Sequence, residues 1–268
     1  MGKIVGAFAT SHIVMNPNGT GDRADRVIGG MREIGQRVQA RAPDTLVVIT
    51  GDHMFNINMS MQVPLCIGIA DQWTPFGEMG LDSRPFSGHR ALAEHIVAAA
   101  ADAGYDIAKA EEIQPDHGIT LPLHFIDPPK RLRVVPVLIN INMTPLPKPE
   151  RCYRLGKVIK AAVESFPGTE RVAVVGTGGL SHWLFQPQMG QVAESFDRLC
   201  LKEIAAGRAE QLAKMSAAEI VEKAGNGGIE LVAWLAAAAT MPGLAGAEIY
   251  YEPMPEWLTG MGGIAIAA

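Results

Sequence analysis

Three strand-like runs of this 268-residue sequence are each followed by a histidine. His12 follows the run KIVGAFA, His53 follows TLVVIT, and His182 follows RVAVVGTGG. A fourth histidine, His117, lies in the turn-like tetrapeptide PDHG. Near pH 7 an imidazole can bind a divalent metal or carry a proton. The spacing therefore predicts metal binding, acid–base catalysis, or both.

These four histidines are far apart in the chain, but strand ends can bring them together. In α/β proteins the loops after the strands surround one crevice, where ligands bind. We therefore expect His12, His53 and His182 to share a site, with His117 in a similar turn. A single histidine in such a place is usually structural, whereas four placed alike favour a functional site.

A carboxylate would complete a metal site, and five acidic residues are candidates: Asp52, Asp116, Glu230, Glu252 and Glu256. Glu230 differs from the others because it lies in the apolar segment GNGGIELVAWL. A buried carboxylate is costly unless it is paired or coordinated. An acid at a helix start is also favoured by the helix dipole, so both interpretations remain open. Two histidines and one carboxylate suit a divalent first-row metal such as iron, zinc or manganese.

The elements that must position these residues alternate along the chain. Short β-branched runs predict strands over 3–9, 45–50, 63–69, 133–141, 171–176 and 262–267. Helical patterns cover 24–41, 87–103 with a serine N-cap, 150–165, 189–206, 209–224 and 228–240. This alternation favours an α/β fold with a central, mostly parallel or mixed sheet flanked by helices. We expect one catalytic domain over residues 1–268.

Composition narrows the function classes. Apolar residues make up 48% of the chain, charged residues 19%, and the formal net charge is −5. An acidic chain without a basic patch argues against nucleic-acid binding. The longest apolar stretch, 231–241, is too short to span a membrane. Three separated cysteines and no signal peptide favour a reducing cytoplasm.

The motifs together resemble the class III, LigB-type extradiol ring-cleavage dioxygenases, in particular the group of protocatechuate 4,5-dioxygenase β subunits and gallate dioxygenases. The resemblance covers nearly the whole chain. It rests on TSH at 10–12, GDH at 51–53, PDHGITLPL at 115–123, GTGGLSH at 176–182 and GNGGIELVAW at 225–234. GTGGLSH is the most specific of these motifs.

The resemblance implies a role for each histidine. His12, His53 and Glu230 would hold a non-haem Fe(II), and His182 would be the acid–base residue. His117 would line the pocket as a second proton-handling or oxygen-contacting group. The implied substrates are dioxygen and a catechol that carries a carboxylate, such as protocatechuate, gallate or a related compound. The resemblance further implies a homo-oligomer, a dimer or larger, and allows a small helical partner subunit.

One segment departs from the family pattern. Protocatechuate enzymes anchor the ring carboxylate with a Ser-Asn pair, where this chain has Trp257 and Leu258. Thr259 offers a hydroxyl beside them. Phe55 and Trp183, each close to a site histidine in sequence, are further candidates for the pocket wall.

Two other functions fit parts of the same evidence. A zinc-dependent hydrolase could use the same ligand set to activate water. A scaffold of this fold without catalysis would bind a protein or small ligand, but it would be expected to lack a ligand or the base. All five predicted site residues are present, so the dioxygenase is the main hypothesis.

Overall fold

The computed structural model describes residues 1–266 and places ten strands there. The strands are β1 (Lys3–Thr10), β2 (Thr45–Gly51), β3 (Leu65–Gly68), β4 (Gln72–Trp73), β5 (Phe86–Ser87), β6 (Ala108–Ala110), β7 (Arg133–Ile139), β8 (Arg171–Thr177), β9 (Gly246–Met254) and β10 (Thr259–Ile266). Eight of them form one sheet in the order β6-β3-β7-β2-β8-β1-β10-β9. The short pair β4 and β5 is separate.

The middle of the sheet is parallel and its flanks contain antiparallel pairs. β7, β2, β8 and β1 run in parallel, whereas β3 is antiparallel to β7. On the other side, β10 is antiparallel to both β1 and β9. The predicted mixed sheet is therefore confirmed, and the carboxyl ends of β2, β8 and β1 lie side by side at one edge.

Helices cover both faces of this sheet. They are α1 (Arg23–Ala40), α2 (Arg90–Asp102), α3 (His117–Ile126), α4 (Pro149–Ser165), α5 (Glu194–Ala205), α6 (Ala209–Leu212), α7 (Ala217–Ala224) and α8 (Leu231–Ala238). Two 3₁₀ turns span Gly227–Glu230 and Pro255–Trp257. None of the helices within residues 1–266 is long and apolar enough to cross a membrane.

The strand side chains alternate between two hydrophobic cores, as the two-residue period of a strand requires. In β2, Val47 and Ile49 join the core formed with α2, α4 and α8. Leu46 and Val48 join the core formed with α1 and α3. Burial of both faces explains why the central strands are continuous apolar runs. Helix α8 is buried at every position, which fixes the turn just before it.

The structure differs from the sequence prediction in several elements. The helix predicted over 87–103 begins at Arg90, and its N-cap is His89, whose Nδ1 accepts a hydrogen bond from the backbone of Leu92. The helix predicted over 209–224 is divided into α6 and α7. Strands β4, β5, β6 and β9 and helix α3 were not predicted. Of the predicted strand 262–267, residue 267 lies outside the described residues.

Candidate functional site

The predicted site residues converge at the carboxyl ends of the parallel strands. His12 lies two residues after β1, His53 two residues after β2, and His182 five residues after β8. His117 is the first residue of α3, and Glu230 ends the 3₁₀ turn that leads into α8. The crevice expected from strand-end geometry is therefore present.

These residues line a cavity of about 250 Å³. Its wall consists of His12, Ile13, His53, His117, Gly179, His182, Leu184, Phe185, Glu230, Trp257, Leu258 and Thr259. All five residues predicted as metal ligands or proton carriers thus face one space, together with the predicted wall residues Trp257 and Thr259. This volume is somewhat below the roughly 300–1,000 Å³ of drug-sized sites and suits a single aromatic ring.

The ring of His12 is oriented by the hydroxyl of Thr177, which also fills a hydrogen-bonding gap left by Pro122 in α3. Pro122 has no N–H to donate to the carbonyl of Gly118, four residues earlier in α3. That carbonyl accepts instead from the hydroxyl of Thr177, at 2.7 Å. Because the hydroxyl hydrogen is used there, the Thr177 oxygen accepts from Nδ1–H of His12, at 3.3 Å. The unprotonated Nε2 of His12 then faces the cavity.

The ring of His53 is held by Asp116, which also caps α3. The carboxylate accepts from His53 Nδ1–H at 2.8 Å and from the Gly118 N–H at 2.9 Å. A carboxylate on Nδ1 fixes the tautomer that leaves Nε2 free, as in many metal-binding histidines. Burial alone would lower the pKa of His53, but Asp116 and Glu230 outweigh it and raise this pKa to about 10. Without a metal ion, Nε2 of this ring therefore carries a second proton near pH 7, which a metal ion bound there would displace.

Glu78 holds His117 in the same way. Its Oε1 accepts from the backbone N–H of His117 at 2.6 Å and from Nδ1–H at 2.9 Å. Burial, with the charges of the neighbouring histidines His53 and His12, lowers the pKa of His117 to about 4. His117 is therefore a neutral ring near pH 7. Sequence reasoning missed Glu78, which lies 39 positions from His117 in a loop without a local motif.

His182 presents its Nε2 to the cavity because its Nδ1–H donates to the carbonyl of Leu180, at 2.9 Å. A carbonyl only accepts, so Nε2 carries the lone pair of the neutral ring. The glycines of GTGGLSH permit close approach: a Cβ on Gly178 would lie 2.7 Å from the Glu230 Cβ. A Cβ on Gly179 would lie 3.0 Å from the imidazole of His182.

Ser181 anchors the same loop to a buried acid. Asp197 accepts from the Ser181 N–H and hydroxyl, both at 2.8 Å, and from the hydroxyl of Tyr251 at 2.9 Å. Burial raises the pKa of Asp197 to about 6, although these hydrogen bonds favour the ionised form. This network fixes the backbone from which the His182 side chain extends.

Glu230 connects three of the histidines. Its Oε2 lies 3.4 Å from Nε2 of His12, and its Oε1 lies 3.4 Å from Nε2 of His53 and 4.0 Å from Nε2 of His182. The carboxylate also accepts from the backbone N–H of Gly179. Burial would raise the pKa of Glu230, but the histidines hold it well below its usual range. Glu230 is thus a buried anion.

The donor set fits a divalent metal ion. Ligands about 2.1 Å from a common ion and at right angles to each other lie about 3 Å apart. The 3.4 Å separations of the Glu230 oxygens from His12 and His53 are close to this value. His12, His53 and His117 also present ring nitrogens within 4.8 Å of one another. Two donor sets are therefore available, both with the pair His12 and His53.

The other candidate carboxylates have different partners. Asp52 accepts from the backbone N–H groups of Asn56 and Ile57, so it closes the loop after β2. Glu252 pairs with Arg26, outside the cavity lining. Asp116 acts behind His53, as described above. Glu230 alone of the five candidate acids lines the cavity among the described residues.

Two residues predicted in the pocket wall lie elsewhere. Phe55 stacks on Phe76 with ring centroids 4.1 Å apart, and the left-handed backbone at Met54 (φ 67°) turns the chain between His53 and this ring. Trp183 packs against Gly225, whose added Cβ would lie 2.6 Å from the indole. Leu184 and Phe185, which follow Trp183, line the cavity instead.

Comparisons with known proteins give a family and several relatives for this chain. The family model described as the catalytic LigB subunit of aromatic ring-opening dioxygenase matches residues 6–262. The chain is 24% identical to a 2,3-dihydroxyphenylpropionate/2,3-dihydroxicinnamic acid 1,2-dioxygenase of Photorhabdus laumondii, over 86% of each chain. An Escherichia coli K12 enzyme with the same description is 26% identical, over 90% of this chain and 91% of its own length.

A gallate dioxygenase of Pseudomonas putida is 29% identical over 69% of this chain, which spans 54% of that longer protein. Among solved structures, an uncharacterized protein from Escherichia coli K12 superposes with a TM-score of 0.66 over 97% of this chain and 99% of its own. Its sequence identity is 14%, so it supports the fold alone.

Proposed function

Because this chain belongs to the LigB family of catalytic subunits of aromatic ring-opening dioxygenases, we propose that it is an Fe(II)-dependent extradiol dioxygenase. Its substrates would be a catechol and dioxygen, and the carbon–carbon bond beside the diol would break with both oxygen atoms entering the product. Residues 1–268 would form one catalytic domain.

The convergence of His12, His53 and Glu230 carries the proposal. Two Nε2 lone pairs and one buried carboxylate on one side of the cavity are the donor set of non-haem Fe(II) oxygenases. Bound there, Fe(II) would supply open positions for the two catechol oxygens and for dioxygen. Buried Glu230 lacks a lysine or arginine partner among residues 1–266, and a divalent cation would supply the missing charge.

His182 has the geometry of a general base. Its Nε2 lone pair faces the cavity, while Nδ1–H stays bonded to Leu180, so the ring can accept a proton from a substrate hydroxyl without changing its orientation. The imidazolium that forms would lie 4.0 Å from the Glu230 carboxylate, which stabilises its charge. His182 would later return the proton to the product.

His117 would act as the second proton-handling or oxygen-contacting group. Its ring is neutral near pH 7, Glu78 accepts from its Nδ1–H, and the residue lines the cavity. The ring centroid lies 4.1 Å from that of His53 and 5.2 Å from that of His12. His117 thus lies beside the two proposed histidine ligands of the metal, where the reacting oxygen atoms would bind.

Oxygen consumption tests the function. Protein loaded anaerobically with Fe(II) should consume one dioxygen per catechol and produce a yellow, ring-opened product. The panel should include protocatechuate, gallate, 2,3-dihydroxyphenylpropionate and methylcatechols. Lack of turnover across the panel would contradict the proposal, and so would stoichiometric zinc with oxygen-independent hydrolysis. Cytoplasmic location, homo-oligomerisation and a helical partner subunit stay predictions, which fractionation and mass photometry can test.

A further inference from the structure

The cavity wall beyond the histidines and Glu230 is apolar. Apart from Gly179 and Thr259, its side chains are Ile13, Leu184, Phe185, Trp257 and Leu258. Within the described chain, no lysine or arginine lines this space. A substrate substituent that contacts this wall therefore meets hydrocarbon and aromatic surface.

The polar side-chain atoms of Trp257 and Thr259 are already hydrogen-bonded within the protein. Nε1–H of Trp257 donates to the carbonyl of Asn16 at 2.9 Å, and the indole is 1% exposed. The hydroxyl of Thr259 donates to the carbonyl of Gly260 at 3.1 Å. Thr259 could turn this one hydroxyl to a ligand, but a single neutral donor is a weak partner for a carboxylate.

Two guanidinium groups that contact this segment are also engaged. Arg23 donates to the carbonyl of Pro253 at 2.9 Å and pairs with Glu256 at 2.5 Å. Arg26 pairs with Glu252. Glu256 lies in the turn that carries Trp257, and Glu252 lies three residues before this turn, so both of these guanidinium groups are already paired with carboxylates of the segment.

Two apolar side chains on left-handed backbone lie at the mouth of the cavity. Phe185 lines the cavity and is 95% exposed, and Leu258 lines it as well. Both residues have a left-handed backbone, with φ of 56° and 65°. Large side chains seldom adopt this conformation, which suits glycine or asparagine. The chain thus accepts local strain that leaves two apolar side chains at the edge of the substrate space.

We infer that the substrate is a catechol whose ring substituent is uncharged and apolar, such as an alkyl or aryl group. A ring carboxylate would lie against this apolar wall and would find no lysine or arginine among the described residues that line it, which is costly. An apolar group would instead cover Phe185 and Leu258. This inference rests on the proposed function and replaces the carboxylated substrate expected from sequence.

Matched substrate pairs test the inference. The Fe(II)-loaded protein should be assayed for oxygen uptake with 4-methylcatechol against protocatechuate, and with 3-methylcatechol against 2,3-dihydroxybenzoate. We expect kcat/KM to be at least about 100-fold higher for the methyl member of one pair. Anaerobic calorimetric titration should give a Kd ratio in the same direction.

The possible outcomes separate the two proposals. Equal or faster turnover of both carboxylated members would overturn the inference and leave the dioxygenase function intact. No oxygen uptake with any of the four catechols would overturn the proposed function and the inference with it. A methyl preference in both binding and turnover would support the inference.

A variant at the mouth provides a second test. Phe185→Arg replaces a solvent-exposed side chain, so the fold should persist, and it adds the cation that the wall lacks. We expect it to shift the protocatechuate to 4-methylcatechol ratio of kcat/KM by at least about tenfold toward the acid. The control Phe185→Leu keeps an apolar side chain and should leave the ratio unchanged. An unchanged ratio in Phe185→Arg would contradict contact between the substituent and Phe185.

Discussion

Gly227 makes room for the imidazole of His182. A Cβ at position 227 would lie 1.9 Å from Nε2 of His182, closer than any real contact allows. Gly227 begins the 3₁₀ turn that ends at Glu230, and its N–H donates to the carbonyl of His182 at 3.1 Å. One missing side chain therefore lets the proposed base and the proposed metal ligand share the cavity.

Gly227→Ala should displace the His182 ring and lower kcat/KM by at least about tenfold while the protein stays folded. Oxygen uptake and far-UV circular dichroism would measure the two effects. Gly29→Ala is the matched control, because no atom lies within 4 Å of its added Cβ in α1. The control should keep full activity and gain up to about 1 kcal/mol of stability. Full activity of Gly227→Ala would contradict the assigned position of His182.

His182→Ala should retain bound iron and lose about 10²–10⁴-fold in kcat/KM, the usual contribution of a general base. Nε2 of His182 faces the substrate space, so the ring can act on the substrate. It lies 4.0 Å from the Glu230 carboxylate, farther than the 3.4 Å of His12 and His53, so we do not expect it to bind the metal. Metal analysis and oxygen uptake measure the two properties. His124→Ala, at an exposed histidine outside this cavity, should change neither. Wild-type turnover in His182→Ala would refute the base assignment.

Asp116→Asn should weaken metal binding by about 10–100-fold, the usual effect of losing the carboxylate behind a metal-binding histidine. The variant replaces the carboxylate that accepts from Nδ1–H of His53 with a neutral amide. The asparagine oxygen can still cap α3 at the Gly118 N–H. Competition with a chelator under nitrogen measures the affinity for Fe(II). Unchanged affinity would mean that Asp116 only caps the helix.

Asp197→Asn should alter how stability depends on pH. Burial raises the pKa of Asp197 from 3.8 to about 6 in the folded protein. Its contribution to stability is therefore complete below pH 3.8 and is lost as the pH rises through about 6. This loss amounts to about 3 kcal/mol at most. Relative to wild type, the free energy of unfolding of the variant should rise by up to that amount between pH 4 and 7.5.

Urea unfolding of both metal-free proteins at several pH values measures this difference. The lost hydrogen bonds to Ser181 and Tyr251 change the free energy of unfolding by an amount that does not depend on pH. The test is therefore how the difference between variant and wild type changes with pH. A difference that stays constant over this pH range would show that Asp197 is ionised equally in the folded and unfolded states.

Much of the fold follows from local patterns. The central strands are continuous apolar runs, so β1, β2, β7 and β8 were predicted closely, and the mixed α/β architecture is confirmed. Helix α3 was missed because Pro122 argues against a helix, and only the hydroxyl of Thr177, 59 positions from Gly118, compensates for the missing N–H. Strand β9 was missed because only three of the nine residues of this edge strand are buried, so it has no clear apolar alternation.

The site residues that follow the ends of strands could be predicted from sequence. The residues of the pocket wall were harder to predict, because the direction of each side chain decides whether it faces the cavity. The strand-end rule brought His12, His53 and His182 together, and the resemblance that singled out Glu230 is confirmed at the level of the family. Phe55 is turned away by the positive φ of Met54, which no residue type signals. The ligand roles themselves stay predictions.

The most direct test compares the two donor sets that the cavity offers. Anaerobic Fe(II) titration should be made on Glu230→Gln and His117→Ala, with His12→Ala as the variant expected to fail under either set. We predict about one Fe(II) per chain for wild type and His117→Ala, and no stoichiometric binding for Glu230→Gln. Stoichiometric iron in Glu230→Gln, with its loss in His117→Ala, would instead establish a three-histidine site and contradict the ligand assignment.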